Sequence, residues 1–220
     1  MKFNFFMPPE ISREEMVSDH LLNRGIRDAK VIKAMREVPR EAFVDEGMAA
    51  FAYDDRPLPI AEGQTISQPY IVAYMIEALE LASVDRVLEI GTGSGYAAAV
   101  LSRIVDTVYT VERLTGLAES ARRRFQMLEY TNIVIYQGDG TLGWPEHAPY
   151  DAIVVTAGAP EVPKPLLDQL AIGGRLVIPV GSSSYLQELV RVRRVGEHDF
   201  STETLCGVRF VPLIGAAGWR

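Results

Sequence analysis

From residue 86 onward the chain alternates between two hydrophobic periods. Short apolar runs of strand character occupy 86–91 (RVLEIG), 107–112 (TVYTVE), 132–137 (NIVIYQ), 151–156 (DAIVVT) and 175–180 (RLVIPV). Between them, 96–104, 114–128 and a short piece near 163–170 carry apolar residues at helical spacing. Strand–helix alternation predicts an α/β fold: a doubly wound, mostly parallel sheet with helices on both faces. The tail departs from this rhythm. Residues 186–195 (LQELVRVRRV) alternate apolar and polar, and 205–213 (LCGVRFVPL) are again strand-like, so two closing strands with an antiparallel pair are expected.

Upstream, 12–24 and 28–37 read as helices. Asp28 suits an N-cap, Val31, Ile32, Met35 and Val38 share a face, and Pro39 stops the second helix. Residues 40–69 are rich in turn formers (Pro57, Pro59, Gly63, Pro69), and 70–82 (YIVAYMIEALELA) return to helical spacing. There is no internal repeat and no low-complexity linker.

Composition narrows the partners. At 220 residues and 48% hydrophobic the chain is long enough for one domain with a full core. A net charge of −7 disfavours a general nucleic-acid binder, and the run Arg122-Arg123-Arg124 reads as the solvated face of a helix. Cys206 is the only cysteine, so no intramolecular disulfide is available. No window approaches 18 apolar residues, and the short apolar piece in MKFNFFMPPE ends at Pro8-Pro9. A cytoplasmic protein with neither leader nor membrane span is expected. No long apolar stripe is evident, so a monomer is the default.

The candidate chemistry starts at RVLEIGTGSGYAAAVLSRI (86–104). Gly91, Gly93 and Gly95 lie between a buried strand and an apolar helix, where a ligand can approach the backbone and meet the helix's free N–H groups. The dinucleotide fingerprint needs its third glycine three residues after the second, but Tyr96 stands there. No Gly-Lys-Ser/Thr follows, so a P-loop is also absent. Glu89 would repel a pyrophosphate but suits an ammonium, as in S-adenosylmethionine. A plain strand–turn–helix connection is the bland alternative. Glu112, at the end of the next strand, can accept from both ribose hydroxyls or be merely a solvent-exposed strand end. Asp139, between Gly138 and Gly140, can accept from an adenine amino group or simply make a tight turn.

Together these segments resemble class I S-adenosylmethionine-dependent methyltransferases, with their Rossmann-like sheet. More narrowly, NRGIRDAKVIKAMREVPREAFV (23–44), PLPIAEGQTISQPYIVAYM (57–75), GDGTLGWPEHAPYDAIVVTAGAPEVPKPLL (138–167), GGRLVIPVG (173–181) and VRFVPL (208–213) are similar to the protein-L-isoaspartate (D-aspartate) O-methyltransferase family. Thr65-Ile66-Ser67-Gln68-Pro69 is far more specific than the glycine turn, which many methyltransferases share. The resemblance implies one domain over 1–220. About 1–82 hold N-terminal helices and the active-site segment, and 83–220 hold the cofactor-binding core and closing strands.

It further implies a cofactor site with S-adenosyl-L-methionine (product S-adenosyl-L-homocysteine) and no metal. The residues carried over are Gln64, Thr65, Ile66, Ser67 and Tyr70 from the active-site segment; Glu89, Gly91, Thr92, Gly93, Ser94 and Gly95 from the glycine turn; and Glu112, Arg113, Asp139 and Gly140 from the next two strand ends. Tyr70 falls where the family varies. Isoaspartyl proteins and peptides are the implied partners, with Thr65, Ser67, Val208, Arg209, Phe210 and Val211 beside them and Ser67 as the catalytic residue. Ser67 could instead be a helix cap, and Val208, Phe210 and Val211 a core strand. An extended 208–212 would bind peptide through its backbone. The acceptor is a carboxylate, ionised at neutral pH, so no general-base histidine is needed. His147, before Ala148-Pro149, reads as structural or exposed, and His20 and His198 suggest no role. The tail GAAGWR is short for closing over a cofactor.

Two rivals remain. One is a class I methyltransferase with another carboxylate acceptor. Thr156-Ala157-Gly158-Ala159-Pro160 stands where enzymes acting on amino groups often carry Asn/Asp-Pro-Pro-Tyr, which argues against amino acceptors. The other rival is a non-catalytic S-adenosylmethionine-binding protein.

Overall fold

The computed structural model describes residues 8–183 and 186–220. The stretch 1–7, which contains the apolar piece considered as a leader, lies outside them. Among the described residues no helix is long and apolar enough to cross a membrane.

The N-terminal helix is irregular. Helix α1 (Pro9–Glu15) runs into a π-helical turn at Met16–Leu21 and a 3₁₀ turn at Leu22–Arg24. Helix α2 (Ala29–Glu37) follows, and the Asp28 carboxylate accepts from the N–H groups of Lys30 and Val31 as expected of an N-cap. The turn-rich stretch contains a small antiparallel hairpin, β1 (Leu58–Pro59) with β2 (Thr65–Ile66), and then α3 (Pro69–Ala78).

The remaining elements are β3 (Arg86–Ile90), α4 (Tyr96–Leu101), β4 (Thr107–Glu112), α5 (Thr115–Met127), β5 (Ile133–Gln137), β6 (Tyr150–Val155), α6 (Lys164–Asp168), β7 (Leu170–Ser183), β8 (Leu186–Arg194) and β9 (Phe200–Val208). Their order across the sheet is β5-β4-β3-β6-β7-β8-β9, parallel from β5 to β7 and antiparallel from β7 to β9. The chain builds outward from β3 to β5 and then returns to place β6 on the other side of β3. That reversal opens a crevice at the carboxyl ends of β3 and β6, where α/β sheets bind ligands.

Alternation along the strands sets the two faces. Val87, Val108, Ala152, Val154 and Val177 join an apolar cluster with the N-terminal helices, while Leu88, Val111, Ile153, Val155 and Leu176 join a second cluster opposite.

Two expectations fail here. The closing strand is β9 at 200–208, not 205–213. Past it the chain crosses back, with Pro212 bridging to Gly158, the Gly158 N–H donating to the Val211 carbonyl and the Leu213 N–H donating to the Gly158 carbonyl. Pro212 has no N–H to continue a ladder. The Arg122–Arg124 run is also not a uniformly solvated face. Arg123 is exposed, but Arg124 turns inward, donating from Nε to the Ala42 carbonyl and from Nη1 to the Ser94 carbonyl, each at 2.7 Å.

Candidate active site

The crevice opens onto a cavity walled by the glycine turn, the end of β4, the segment 64–67, α3 and the returning chain 211–214. The three glycines of the turn do different work. A Cβ on Gly93 would face open cavity, with only Ile60 near it at 3.7 Å. A Cβ on Gly91 would lie 2.5 Å from Thr156 Oγ1, and one on Gly95 would lie 2.7 Å from the Phe125 ring. Gly95 (φ 91°) is therefore a packing glycine behind the turn, whose missing side chain makes room for the Phe125 ring rather than for the cavity.

Parallel register puts Glu89 beside Thr110, on the same face of the sheet. Glu89 is fully buried, and its Oε2 accepts from the Thr110 hydroxyl at 2.5 Å, while Thr110 lies 2.7 Å from the Thr92 hydroxyl. Its Oε1 makes no hydrogen bond of normal geometry within the protein, although the Ala98 N–H near the carboxyl favours its ionised form and the residue lines the cavity. Burial pushes the carboxyl up to about 8; the Thr110 bond opposes this and the nearby Glu112 adds to it. An orphaned buried carboxyl oxygen at a cavity wall fits a ligand that brings a positive charge.

Glu112 accepts from the Gly93 and Leu114 N–H groups, both at 2.9 Å, one on each carboxylate oxygen. Each oxygen keeps a lone pair that a ribose hydroxyl could use. Arg113, Gln64, Thr65, Ile66, Gly91, Thr92, Ser94 and Gly140 also line the cavity.

Two further residues lie beside the cavity rather than on its wall. Tyr70 lies outside the cavity wall. Its ring stacks on Tyr74 at 5.7 Å, the Arg24 guanidinium sits 3.6 Å above it, and its N–H donates to Asp55. Asp139 also stays out of the wall. Its Oδ1 accepts from the Thr141 N–H (2.9 Å) and hydroxyl (2.7 Å), and its Oδ2 accepts from the Ala216 N–H at 2.7 Å. Burial opposes ionisation, but the bonds from Ala216 and Thr141 outweigh it and hold the carboxyl below its usual range. Asp139 thus latches the C-terminal tail. The Ala217 N–H donates to Thr141 Oγ1 and Trp219 Nε1 to the Gly158 carbonyl, both at 3.0 Å, and Ile214 reaches the cavity. After Ile214 the tail folds back, the Gly215 N–H donating to the Trp219 carbonyl and the Trp219 N–H to the Leu213 carbonyl.

A second groove adjoins the cavity, lined by Pro57, Gln68, Ile71, Leu186 and Val208 to Val211. The two spaces share Thr65, Ser67, Thr156 and Val211. Ser67 precedes the N-cap, Gln68, so it is not the helix cap. Its carbonyl accepts from Arg40 Nη2 at 2.7 Å. Arg209 is exposed on the groove. The expectation of backbone pairing along 208–212 meets an obstacle at Phe210. The amide of buried Gln187 accepts from the Phe210 N–H at 2.8 Å and donates to its carbonyl at 3.2 Å, and Gly158 takes the Val211 carbonyl.

His147 stacks on Tyr109 at 4.3 Å, edge-on to Trp144, and is not on the cavity wall. The sequence reading missed Thr156, Gln187, the α3 residues Val72, Met75 and Ile76 and the tail residue Ile214. Thr156 carried a signal in its position at the carboxyl end of a parallel strand. Its hydroxyl donates to the Gly91 carbonyl at 2.7 Å. The others depend on contacts far apart in sequence.

The profile of the protein-L-isoaspartate(D-aspartate) O-methyltransferase family matches residues 12–218. The chain is 73% identical over 210 residues to the protein-L-isoaspartate O-methyltransferase 2 of Pelobacter propionicus, covering 96% of this chain and 93% of that one. It is 72% identical over 219 residues to the protein-L-isoaspartate O-methyltransferase 1 of Geotalea uraniireducens, covering both chains fully. The fold superposes with a TM-score of 0.80 and 27% identity on a Plasmodium falciparum protein assigned to the same activity and solved with S-adenosyl-L-homocysteine, over 92% of this chain and 98% of that one.

Proposed function

The chain belongs to the protein-L-isoaspartate(D-aspartate) O-methyltransferase family, and from that premise we propose that it methylates the free carboxylate of L-isoaspartyl residues in damaged proteins and peptides. When bound, S-adenosylmethionine supplies an electrophilic methyl group and leaves as S-adenosylhomocysteine. The observation that supports this reading most is the meeting of the charged cavity and the open groove at Thr65, Ser67, Thr156 and Val211.

The residues divide the work. Glu112 holds the turn at Gly93 and keeps acceptor capacity for a ribose, while the free Glu89 oxygen suits a cationic group. Val72, Met75, Ile76 and Leu213 give the cavity an apolar wall that excludes water. On the groove side, Ser67 and Thr65 offer hydroxyls that would orient the acceptor carboxylate without a strong ion pair to suppress its attack. The carboxylate is already ionised at neutral pH, so no general base is required. Alignment of its oxygen with the methyl group is then the main contribution, worth as much as about 7–11 kcal/mol when geometry is good. Attack and departure neutralise opposite charges, which a dry site favours. The oxygen lone pair forms the new O–CH3 bond, and the electrons of the old bond stay on sulfur. Attack of the next backbone nitrogen on the ester later expels methanol and gives a succinimide without any enzyme group.

The reading includes action in the cytoplasm as a monomer, for which a half-buried lone Cys206 requires no oxidising compartment. Two peptides that differ only in Asp versus isoAsp test the activity. With methyl-labelled cofactor, a base-labile methyl ester should form on the isoAsp peptide alone. Equal labelling of both peptides, or binding of cofactor without transfer, would overturn the reading.

A further inference from the structure

Arg40 is fully buried, yet among the described residues it makes no ion pair. It begins the short 3₁₀ turn Arg40–Phe43, far from any site residue in sequence. Its Nε donates to the Ala52 carbonyl and its Nη2 to the Ser67 carbonyl, both at 2.7 Å, while Nη1 has no partner. The guanidinium carbon lies 4.7 Å from the ring centre of Tyr96, the first residue of α4 and part of the cavity wall. One planar cation thus touches the acceptor segment through Ser67 and the helix of the glycine turn through Tyr96.

We infer that Arg40 is a positioning residue for methyl transfer: by bonding the Ser67 carbonyl while its guanidinium packs near the Tyr96 ring, it sets the Ser67 hydroxyl at the junction of cavity and groove. The inference rests on the proposed methyl transfer to isoaspartyl carboxylates. A buried guanidinium without a direct ion pair is costly, and a lysine would keep the charge but not the fork that reaches two carbonyls beside a ring. The bond to a backbone carbonyl fixes the peptide plane between Ser67 and Gln68, immediately before Pro69 starts α3.

R40K should lower kcat on an isoaspartyl peptide by at least about tenfold, with peptide KM and S-adenosylhomocysteine affinity within about threefold of wild type. In a Ser67→Ala background the same substitution should change kcat less than about twofold, because the hydroxyl it positions is gone. An R40K enzyme with normal kcat, or one losing cofactor affinity in step with kcat, overturns the inference, as does a full R40K effect in the Ser67→Ala background. Should R40K not fold, wild-type protein labelled with ¹⁵N-arginine decides. With S-adenosylhomocysteine bound, the Arg40 Nε signal should shift with the isoaspartyl peptide and not with its Asp counterpart; identical responses overturn the inference. A wild-type enzyme inert on the isoaspartyl peptide would instead bring down the functional reading itself.

Discussion

The Glu112 carboxylate accepts the Gly93 N–H at 2.9 Å. Two residues 19 positions apart therefore act as one device: the carboxylate at the end of β4 pins the one glycine of the turn whose missing side chain leaves the cavity open.

Gly93 and Gly95 should respond differently to substitution. Gly93→Val places branched carbons in the cavity and should abolish binding of S-adenosylhomocysteine in calorimetry. Gly95→Ala puts its Cβ against the Phe125 ring at a left-handed backbone position, so it should lower stability by about 1–3 kcal/mol. The check is chemical denaturation with and without ligand; a Gly95→Ala protein of wild-type stability would refute the packing role.

Glu89 should make cofactor binding pH-dependent. With its carboxyl pushed up to about 8, it is protonated at neutral pH in the free protein, and a cationic ligand beside it favours the ionised form. Binding then releases a proton, and affinity rises with pH until about 8 and levels off above. Without ligand the sign reverses. The folded state holds a proton that the unfolded chain, with its ordinary value of 4.5, has lost, so stability declines between 4.5 and about 8. Titrations in buffers of different ionisation enthalpy measure the proton released. Glu89→Gln should remove both slopes.

Asp139 should control the tail. Asp139→Asn replaces one acceptor by an amide that cannot receive both the Ala216 and Thr141 N–H groups, and should speed tail cleavage by proteases and weaken cofactor binding about tenfold, the worth of a charged hydrogen bond. Because the folded carboxyl lies below its ordinary value, the latch contributes at neutral pH and is lost as acidification passes its folded pKa. Equal proteolysis rates for both proteins would contradict the latch.

Ser67→Ala should reduce kcat by about 10- to 100-fold, as expected for one charge-assisted hydrogen bond in a transition state, with little change in cofactor affinity. Initial rates and calorimetry on the same preparation separate the two effects, and unchanged kcat would remove Ser67 from the reaction.

Much of this was legible in the chain. The strands at 86–90, 107–112 and 133–137, the glycine turn and Glu112 follow from local periodicity and spacing, because each is a short-range consequence of residue type. The partners of Asp139 and Tyr70 were not legible for a related reason. Their spacing suits a ligand, but the Ala216 N–H is 77 residues from Asp139, and Tyr70 is occupied by Arg24 and Tyr74. A carboxylate or ring in a favourable sequence position carries no mark of the distant group that claims it.

The sequence by itself determined the alternating sheet, the glycine turn without a phosphate cradle, and a carboxylate at each of three successive strand ends. Only the tertiary structure decided what each carboxylate bonds to. Glu112 and Glu89 line the cavity, whereas Asp139, next to the wall residue Gly140, is bonded through Oδ1 to Thr141 and through Oδ2 to the Ala216 N–H of the tail. It also brought Arg40, Ser67 and Tyr96 together and set Ile214 of the tail against the cavity. Periodicity records which face of an element is buried; what a buried polar atom bonds to depends on chain crossings that no local pattern encodes.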